Sequence, residues 1–153
     1  MAMLDDVDWQ LLGLLQADAR IGYRELGRHV GLSAPAVAAR VRRLENAGVI
    51  TGYGARVDPA RVGLPVQAYL ALSTGGRRQS LQATQLAGQN PYVLEEHHIT
   101  GTNDHLLKVV TTEIASLEPF IDALNDYGKP ATSFVLSSPK PWSPVIAPPV
   151  SGT

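Results

Sequence analysis

Residues 31–44 read "GLSAPAVAARVRRL", with a glycine, a serine and a proline ahead of three arginines set among alanines. A glycine suits a sharp turn after a helix, and a serine caps the next helix through its hydroxyl. Val37, Val41 and Leu44 recur at i, i+4 and i+7, the spacing of one apolar helical stripe. The segment therefore predicts a helix that begins after Ser33 and carries its arginines away from that stripe.

The chain as a whole does not share the basic character of this segment. It has 153 residues, a formal net charge of -1, 44% hydrophobic residues and no cysteine. The size suits one domain or two small ones, and the lack of cysteine excludes thiol catalysis, disulfides and cysteine-ligated metals. The acidic start "MAMLDDVDWQ" and the lack of an apolar run of about 18 residues predict a cytoplasmic protein without a membrane span. Any affinity for nucleic acid must come from local charge, because phosphate binding is electrostatic.

The flanking segments complete a helix-turn-helix pattern. Residues 4–20 place apolar side chains at helical spacing behind three aspartates that suit the positive end of a helix dipole. Residues 23–31 predict a short second helix, with Gly27 where two helices cross closely and Gly31 in the turn. Residues 49–57, "VITGYGARV", carry β-branched residues on both sides of a glycine-rich turn, which predicts a small hairpin.

The predicted third helix presents a face that suits DNA. In a helix-turn-helix, the second helix of the motif lies in the major groove with its early residues towards the base edges. From Ser33 to Gly48 three arginines against Glu45 alone give a local charge of +2. A solvated helix surface is the alternative explanation for such a cluster. We predict that the DNA-binding residues are Ser33, Pro35, Ala36, Ala39, Arg40, Arg42 and Arg43.

The second half of the chain has the rhythm of a mixed α and β domain. After a linker over residues 58–65, residues 66–73 alternate as a half-buried strand does, and a helix-compatible stretch follows. "YVLEEHHIT" and "HLLKVVTT" predict an antiparallel pair joined by the turn "GTND". An amphipathic helix comes next, with Pro119 implying either a late start near Ser116 or a kink, and "TSFVLSS" predicts the last strand.

The predicted fold class is therefore α+β. The order strand, helix, strand, strand, helix, strand fits a ferredoxin-like βαββαβ unit. The predicted organisation is a winged helix-turn-helix domain over residues 1–57, a linker, a ferredoxin-like domain over residues 66–138 and a tail over residues 139–153. The tail holds five prolines and little periodicity, which is typical of an arm rather than of a core.

The motif "LS…RVRRLENAGVITGY" resembles the winged helix-turn-helix of the leucine-responsive and asparagine regulators, the Lrp/AsnC or feast/famine family of transcriptional regulators. The second half resembles the ligand-sensing and oligomerisation domain of the same family, and "ITGTNDHLLKV" matches its glycine, aspartate and leucine-rich strand. The similarity covers about residues 4–138. It implies a regulator that binds double-stranded DNA, dimerises through the C-terminal sheet and assembles into tetramers or octamers.

The "GTND" turn is the candidate effector site. Gly101 can take a positive φ, and Thr102, Asn103 and Asp104 offer amides and a carboxylate that could hold a zwitterion. The resemblance implies that an amino acid binds here between subunits, and that Thr132 and Ser133 match positions that face the effector. The alternative is that Asp104 only ties the hairpin together through the backbone.

Three histidines suggest a metal, but adjacent residues of a strand point to opposite faces. His97 and His98 therefore cannot chelate one ion from regular β geometry. We predict instead that these two residues and His105 form hydrogen bonds or lie at an interface. We accordingly predict no metal site and no cofactor.

Two other functions compete with that of a regulator. Some proteins of similar architecture are decarboxylases that act on sirohaem-type substrates, and in such an enzyme Tyr92, His97 and His98 would be the candidate residues. A passive amino-acid-binding or oligomerisation module is the third possibility. The arginine face and the intact "GTNDHLL" turn favour the regulator, so we expect no enzyme activity.

Overall fold

A computed structural model describes residues 4–149, so the outer ends of the predicted segments 1–57 and 139–153 lie outside the described residues. The chain forms two compact units. One takes the chain up to Arg56 together with the chain from Lys140 onward, and the other is Val57–Pro139. The predicted α+β class is confirmed. None of the helices within residues 4–149 is long and apolar enough to cross a membrane.

Three helices build the described part of the first unit. They are α1 (Asp6–Ala17), α2 (Tyr23–Val30) and α3 (Ala34–Asn46). Their contact faces are fully buried at Leu11, Leu26, Val37 and Val41, with Leu15 almost so. The predicted apolar stripe of α3 is thus the surface that holds this helix to the other two.

The hairpin predicted over residues 49–57 is not formed. Residues 49–57 are all described, and none of them belongs to a strand. A two-stranded ribbon is marginal without a sheet to pack on, and Gly52 and Gly54 weaken strand formation further. The segment instead follows α3 as irregular chain, half-buried at Val49 and Ile50 and exposed over residues 51–57. Gly48, with a φ of 68°, turns the chain after the helix ends.

A four-stranded antiparallel sheet forms the second unit. Its strands are β1 (Val66–Thr74), β2 (Val93–His98), β3 (His105–Thr111) and β4 (Gly128–Phe134), in the spatial order β2-β3-β1-β4. Helix α4 (Arg77–Gln89) joins β1 to β2, and α5 (Glu118–Asn125) joins β3 to β4. The predicted βαββαβ order is confirmed.

The two helices cover one face of this sheet. Apolar side chains of α4 and α5 pack on alternate residues of β1 and β3, and the cluster includes Leu70, Leu72, Ala83, Leu107, Phe120 and Leu124. The residues between them, such as Tyr69 and Ala71 on β1, belong to the opposite face and stay partly or largely exposed. We call this second surface the open sheet face.

Two details of the second unit concern Pro119 and the last strand. Pro119 lies in the first turn of α5, after a short 3-10 turn over Ile114–Leu117, so the predicted late start is correct. The predicted position of the last strand is wrong, because residues 132–138 were expected and the strand covers Gly128–Phe134. Pairing with β1 fixes this position, since Gly128 lies opposite Thr74 and Phe134 opposite Ala68.

Candidate functional site

The turn between α2 and α3 depends on two glycines. Gly31 ends α2 with a φ of 70°, a conformation that favours glycine. A Cβ on Gly27 would lie 2.3 Å from the carbonyl oxygen of Leu32, so the chain after the turn passes directly against α2. The predicted roles of the two glycines are confirmed. The turn sets α3 against α2 closely enough for the helix-turn-helix geometry.

Helix α3 begins as the sequence predicts. The Ser33 hydroxyl accepts a hydrogen bond from the Ala36 amide at 3.4 Å, and Pro35 lies in the first turn. Within the outward face Pro35, Ala39 and Arg42 are exposed, while Ala36 and Arg40 are half-buried. The early part of the helix therefore offers short side chains and little charge, which leaves room for a close approach of the helix backbone to a groove.

The three arginines of α3 have different surroundings. Arg40 donates from one nitrogen to Asp5 at 2.7 Å and to Asp8 at 2.9 Å, and Arg43 donates to Asp8 at 2.5 Å. Arg42 is exposed and takes part in none of the ion pairs found among residues 4–149. Two of the three predicted DNA-contacting arginines are thus tied to α1, although Arg43 keeps just over half of its side chain exposed.

Electrostatics matches these contacts. The hydrogen bond from Arg40, followed by the bond from the Asp8 amide, lowers the pKa of Asp5. The same pairing, with Asp5 first and Asp8 second, raises the pKa of Arg40. The sequence predicts that Asp5 and Asp8 lie at the positive end of the helix dipole, and in the structure they form the N-terminal capping box of α1. The ion pairs to α3 are a second role that helical periodicity alone does not reveal.

These pairs change the charge balance of the candidate DNA-binding face. Asp5, Asp8 and Glu45 oppose the three arginines of α3, so the local excess of +2 counted along the helix is offset by α1. The exposed cations that join Arg42 come from α2 and the preceding loop. They are Arg20, Arg24 and Arg28, for which the structure records no ion pair within residues 4–149.

Irregular chain beyond α3 is fixed to the same helix. The Tyr53 hydroxyl donates to Glu45 at 2.9 Å, and burial first, then this bond, raises the pKa of Tyr53 to about 12. The C-terminal segment also contacts this unit. The side-chain amide of Gln16 donates a hydrogen bond to the backbone carbonyl of Val145 and accepts one from its backbone amide. The Arg56 guanidinium lies 3.3 Å from the ring centroid of Trp142.

The "GTND" turn is anchored to the end of β1. The Asp104 carboxylate accepts hydrogen bonds from the amide of Thr74 at 2.8 Å and from its hydroxyl, and the Asp104 amide donates to Leu72 at 3.0 Å. Burial alone would raise the pKa of Asp104, but the hydrogen bonds from Thr74 outweigh it and lower the pKa. Gly101 has a φ of 123°, as a turn glycine can. Asp104 therefore holds the turn to β1, and Thr102 and Asn103 remain partly or fully exposed.

The two candidate residues of β4 lie apart from this turn. Thr132 pairs with Leu70 and points to the helix-covered face, whereas Ser133 pairs with Tyr69 and points to the open sheet face. Strand β1 lies between β4 and β3, the strand that follows the turn. A single chain therefore does not set Thr132 and Ser133 beside the turn residues.

His97 and His98 point to opposite faces of β2, as predicted, and each of the three histidines has a hydrogen-bond partner. His97 faces Glu95 at 3.3 Å, and His98 lies on the other face of β2. Strand pairing sets His98 directly opposite His105, and Glu96 lies beside both. Sequence reasoning missed this group because it compared only adjacent histidines.

Both halves of the chain match models of known protein families. The family model described as the AsnC-type helix-turn-helix domain matches residues 4–45, and that described as the Lrp/AsnC ligand binding domain matches residues 67–145. The HTH-type transcriptional regulator YezC of Bacillus subtilis is 42% identical over 88% of this chain and 95% of its own length.

Two further relatives add functional and structural context. The proline dehydrogenase transcriptional activator of Rhodobacter capsulatus is 41% identical over 74% of this chain and 75% of its own length. A crystal structure of a transcriptional regulator from Neisseria meningitidis in complex with L-Met superposes with a TM-score of 0.86 at 28% identity, covering 94% of this chain and 96% of the other.

Proposed function

Because this chain belongs to the Lrp/AsnC family of transcriptional regulators, we propose that it controls transcription by inserting α3 into the major groove of DNA. The observation that carries the proposal is the division of α3 into two faces. Val37, Val41 and Leu44 are buried against the domain, while Pro35, Ala39 and Arg42 are exposed on the other side. We also propose that the protein acts in the cytoplasm.

Arg42 is the arginine that we assign to base or phosphate recognition. Its guanidinium is exposed, whereas Arg40 is engaged by Asp5 and Asp8 and orients α3 on α1. Arg43 has a split role, since it contacts Asp8 but stays more than half exposed. Ser33, Pro35, Ala36 and Ala39 form the part of the helix that can approach the groove, with short side chains suited to a thymine methyl.

The experiment is a selection of bound duplexes from a random-sequence library, followed by titration of the best duplex at several salt concentrations. Arg42→Ala should weaken binding by about 1–3 kcal/mol if the side chain contacts a base, or reduce the salt slope if it contacts phosphate. Arg78→Ala is the matched control, because Arg78 is an exposed arginine of α4 in the other unit. Unchanged affinity and salt slope in Arg42→Ala would contradict this assignment of the helix face.

We also propose that the protein works as a homodimer joined through the open sheet face. An antiparallel sheet with one face covered by helices leaves the other available for a partner, and here it carries Tyr69, which is 37% exposed. Two copies would present two α3 helices to paired half-sites, which doubles the phosphate contacts of a nearly neutral chain. Tyr69→Glu should shift the mass measured by light scattering from dimer, tetramer or octamer towards monomer, whereas Tyr23→Glu, at an exposed position of α2 in the other unit, should not.

An amino acid effector is the second part of the proposal. The turn Gly101, Thr102, Asn103 and Asp104 offers backbone amides to a carboxylate, and both oxygens of Asp104 retain lone pairs for an ammonium. A site shared with Thr132 or Ser133 requires a second chain, because β1 separates them within one chain. This arrangement supports binding between subunits. A thermal-shift screen of the twenty amino acids tests it, followed by sizing with the best one.

The matched variants for the effector site are Asn103→Ala, in the turn, and Asn90→Ala, near the end of α4. Asn103→Ala should reduce the ligand-induced thermal shift, and Asn90→Ala should leave it intact. We propose that the protein does not act as a decarboxylase. His97 and His98 lie on opposite faces of β2 and therefore cannot flank one substrate together.

A further inference from the structure

Three potential metal ligands meet on the helix-covered side of the sheet edge. Strand pairing places His98 opposite His105, and their ring centroids are 4.5 Å apart. Glu96 lies two residues before His98 on the same face of β2. One ligand atom from each of the three residues lies within 4.8 Å of the others. We call this group the edge triad.

Two hydroxyl groups of α4, which packs on the helix-covered face of the sheet, contact the edge triad. The Ser80 hydroxyl lies 2.8 Å from Nε2 of His105, and the Thr84 hydroxyl donates to Glu96 at 2.8 Å. His105 is fully buried, whereas the side chain of His98 is 62% exposed. The group is therefore supported on its inner side and open to solvent at one position.

The charge of Glu96 is not balanced by a permanent cation. Its ion-pair partners within residues 4–149 are His98 at 3.9 Å and His105 at 3.0 Å, and neither a lysine nor an arginine contacts it there. Neutral imidazoles leave a carboxylate uncompensated. A bound cation would supply the missing charge, and imidazole nitrogen with carboxylate oxygen is a donor set that zinc takes in proteins.

We propose that the edge triad binds a divalent transition-metal ion of the Zn²⁺ type. The ion takes Nδ1 of His105, a ring nitrogen of His98 and the carboxylate of Glu96, with water completing the coordination. Bonds of about 2.0–2.2 Å set the ligand atoms roughly 3.3 Å apart. His105 and Glu96 are already close to this spacing, and the exposed His98 side chain can move towards them.

The hydrogen bonds of His105 fit this role. Nδ1 lies 3.0 Å from Glu96 and Nε2 faces Ser80, so the metal replaces the proton between Nδ1 and the carboxylate. Nε2 then carries the proton and donates to the Ser80 hydroxyl, which fixes the tautomer that leaves Nδ1 free to bind. The bound ion joins β2, one of the two edge strands, to β3 immediately after the "GTND" turn.

The test uses the full chain without an affinity tag, stripped of metal with a chelator and then dialysed. Zn²⁺ alone is titrated by calorimetry, and Co²⁺ is titrated as a spectroscopic probe of coordination by visible absorption. The wild-type protein should bind one equivalent, and His98→Ala should bind at least about tenfold more weakly. His97→Ala is the matched control and should bind as the wild type does, because His97 points to the opposite face.

A second variant keeps the proposal falsifiable if His98→Ala changes the fold. Glu96→Gln preserves the size of the side chain and an oxygen that accepts from Thr84, while it removes the negative charge. It should lose the Co²⁺ spectrum and the Zn²⁺-induced rise in melting temperature, and circular dichroism should report an intact fold. No Zn²⁺ binding by the wild type, or binding by both Glu96→Gln and His98→Ala that equals that of the wild type, would overturn the proposal.

Discussion

The guanidinium of Arg40 on α3 lies 2.9 Å from the carboxylate of Asp8 on α1, and the Asp8 side chain is completely buried. The pair joins the proposed recognition helix to α1. Arg43 reaches the other oxygen of the same carboxylate. Asp8 is therefore the residue through which α1 fixes the direction of two α3 arginines.

Removal of the charge of Asp8 should destabilise the first unit. Asp8→Asn keeps the shape of the side chain but weakens the hydrogen bonds from Arg40 and Arg43, so we expect the free energy of unfolding to fall by about 1–3 kcal/mol. Urea denaturation followed by circular dichroism measures the change. Asp6→Asn removes the same charge from the same helical turn at an exposed position, and should cost less than about 1 kcal/mol. Equal losses in the two variants would refute the role of the ion pairs.

A second prediction concerns the closeness of the turn. Gly27→Ala places a methyl group 2.3 Å from a backbone oxygen, and backbone cannot move aside as a flexible side chain can. We expect a loss of about 1–3 kcal/mol in the free energy of unfolding and weaker DNA binding, because α3 must shift. Gly13→Ala is the control, since a Cβ there meets nothing within 4 Å in an exposed part of α1. It should stabilise the protein by about 0.5–1 kcal/mol. Equal destabilisation by both variants would contradict the role of the close approach at Gly27, because a Cβ on Gly13 meets no neighbour.

The helix-turn-helix could be predicted from the sequence because its signals are local. The cap at Ser33, the turn at Gly31 and the stripe beginning at Val37 lie within a few residues of each other, and helical periodicity is enough to connect them. The pairing of Arg40 with Asp8 is different in kind. It joins residues 32 positions apart, and depends on the crossing of two helices that periodicity does not specify.

Strand pairing accounts for the other differences. The final strand was expected at residues 132–138, but its position is set by its pairing with β1, in which Gly128 lies opposite Thr74 and Phe134 opposite Ala68. The edge triad depends on register in the same way, because His98 and His105 meet only when β2 and β3 pair as they do. The hairpin expected over residues 49–57 failed for lack of a sheet to pack on.

A pH prediction follows from Tyr53. Its pKa is raised from 10.0 to about 12 in the folded protein, so the neutral phenol is favoured by folding. The stabilisation is fully present below pH 10 and is lost as the pH rises to about 12. We expect the free energy of unfolding to fall across this window in the wild type and to fall less in Tyr53→Phe. Urea titrations between these pH values measure it, with Tyr92→Phe as a control in the other unit. A curve for Tyr53→Phe as steep as that of the wild type would contradict the assignment.

The anchoring of the "GTND" turn gives the last prediction. Asp104→Ala removes the acceptor of both Thr74 donors, so the half-buried Thr74 amide loses its partner and the free energy of unfolding should drop by about 1–3 kcal/mol. Because the pKa of Asp104 is lowered in the folded protein, this contribution is present above the ordinary carboxyl value of 3.8 and is lost as the pH falls below it. The difference between Asp104→Ala and the wild type should therefore be largest near neutral pH and shrink in acid. Thr74→Ser retains both donors and should change stability little. A constant difference between pH 7 and pH 3 would mean that the ionised carboxylate does not hold the turn.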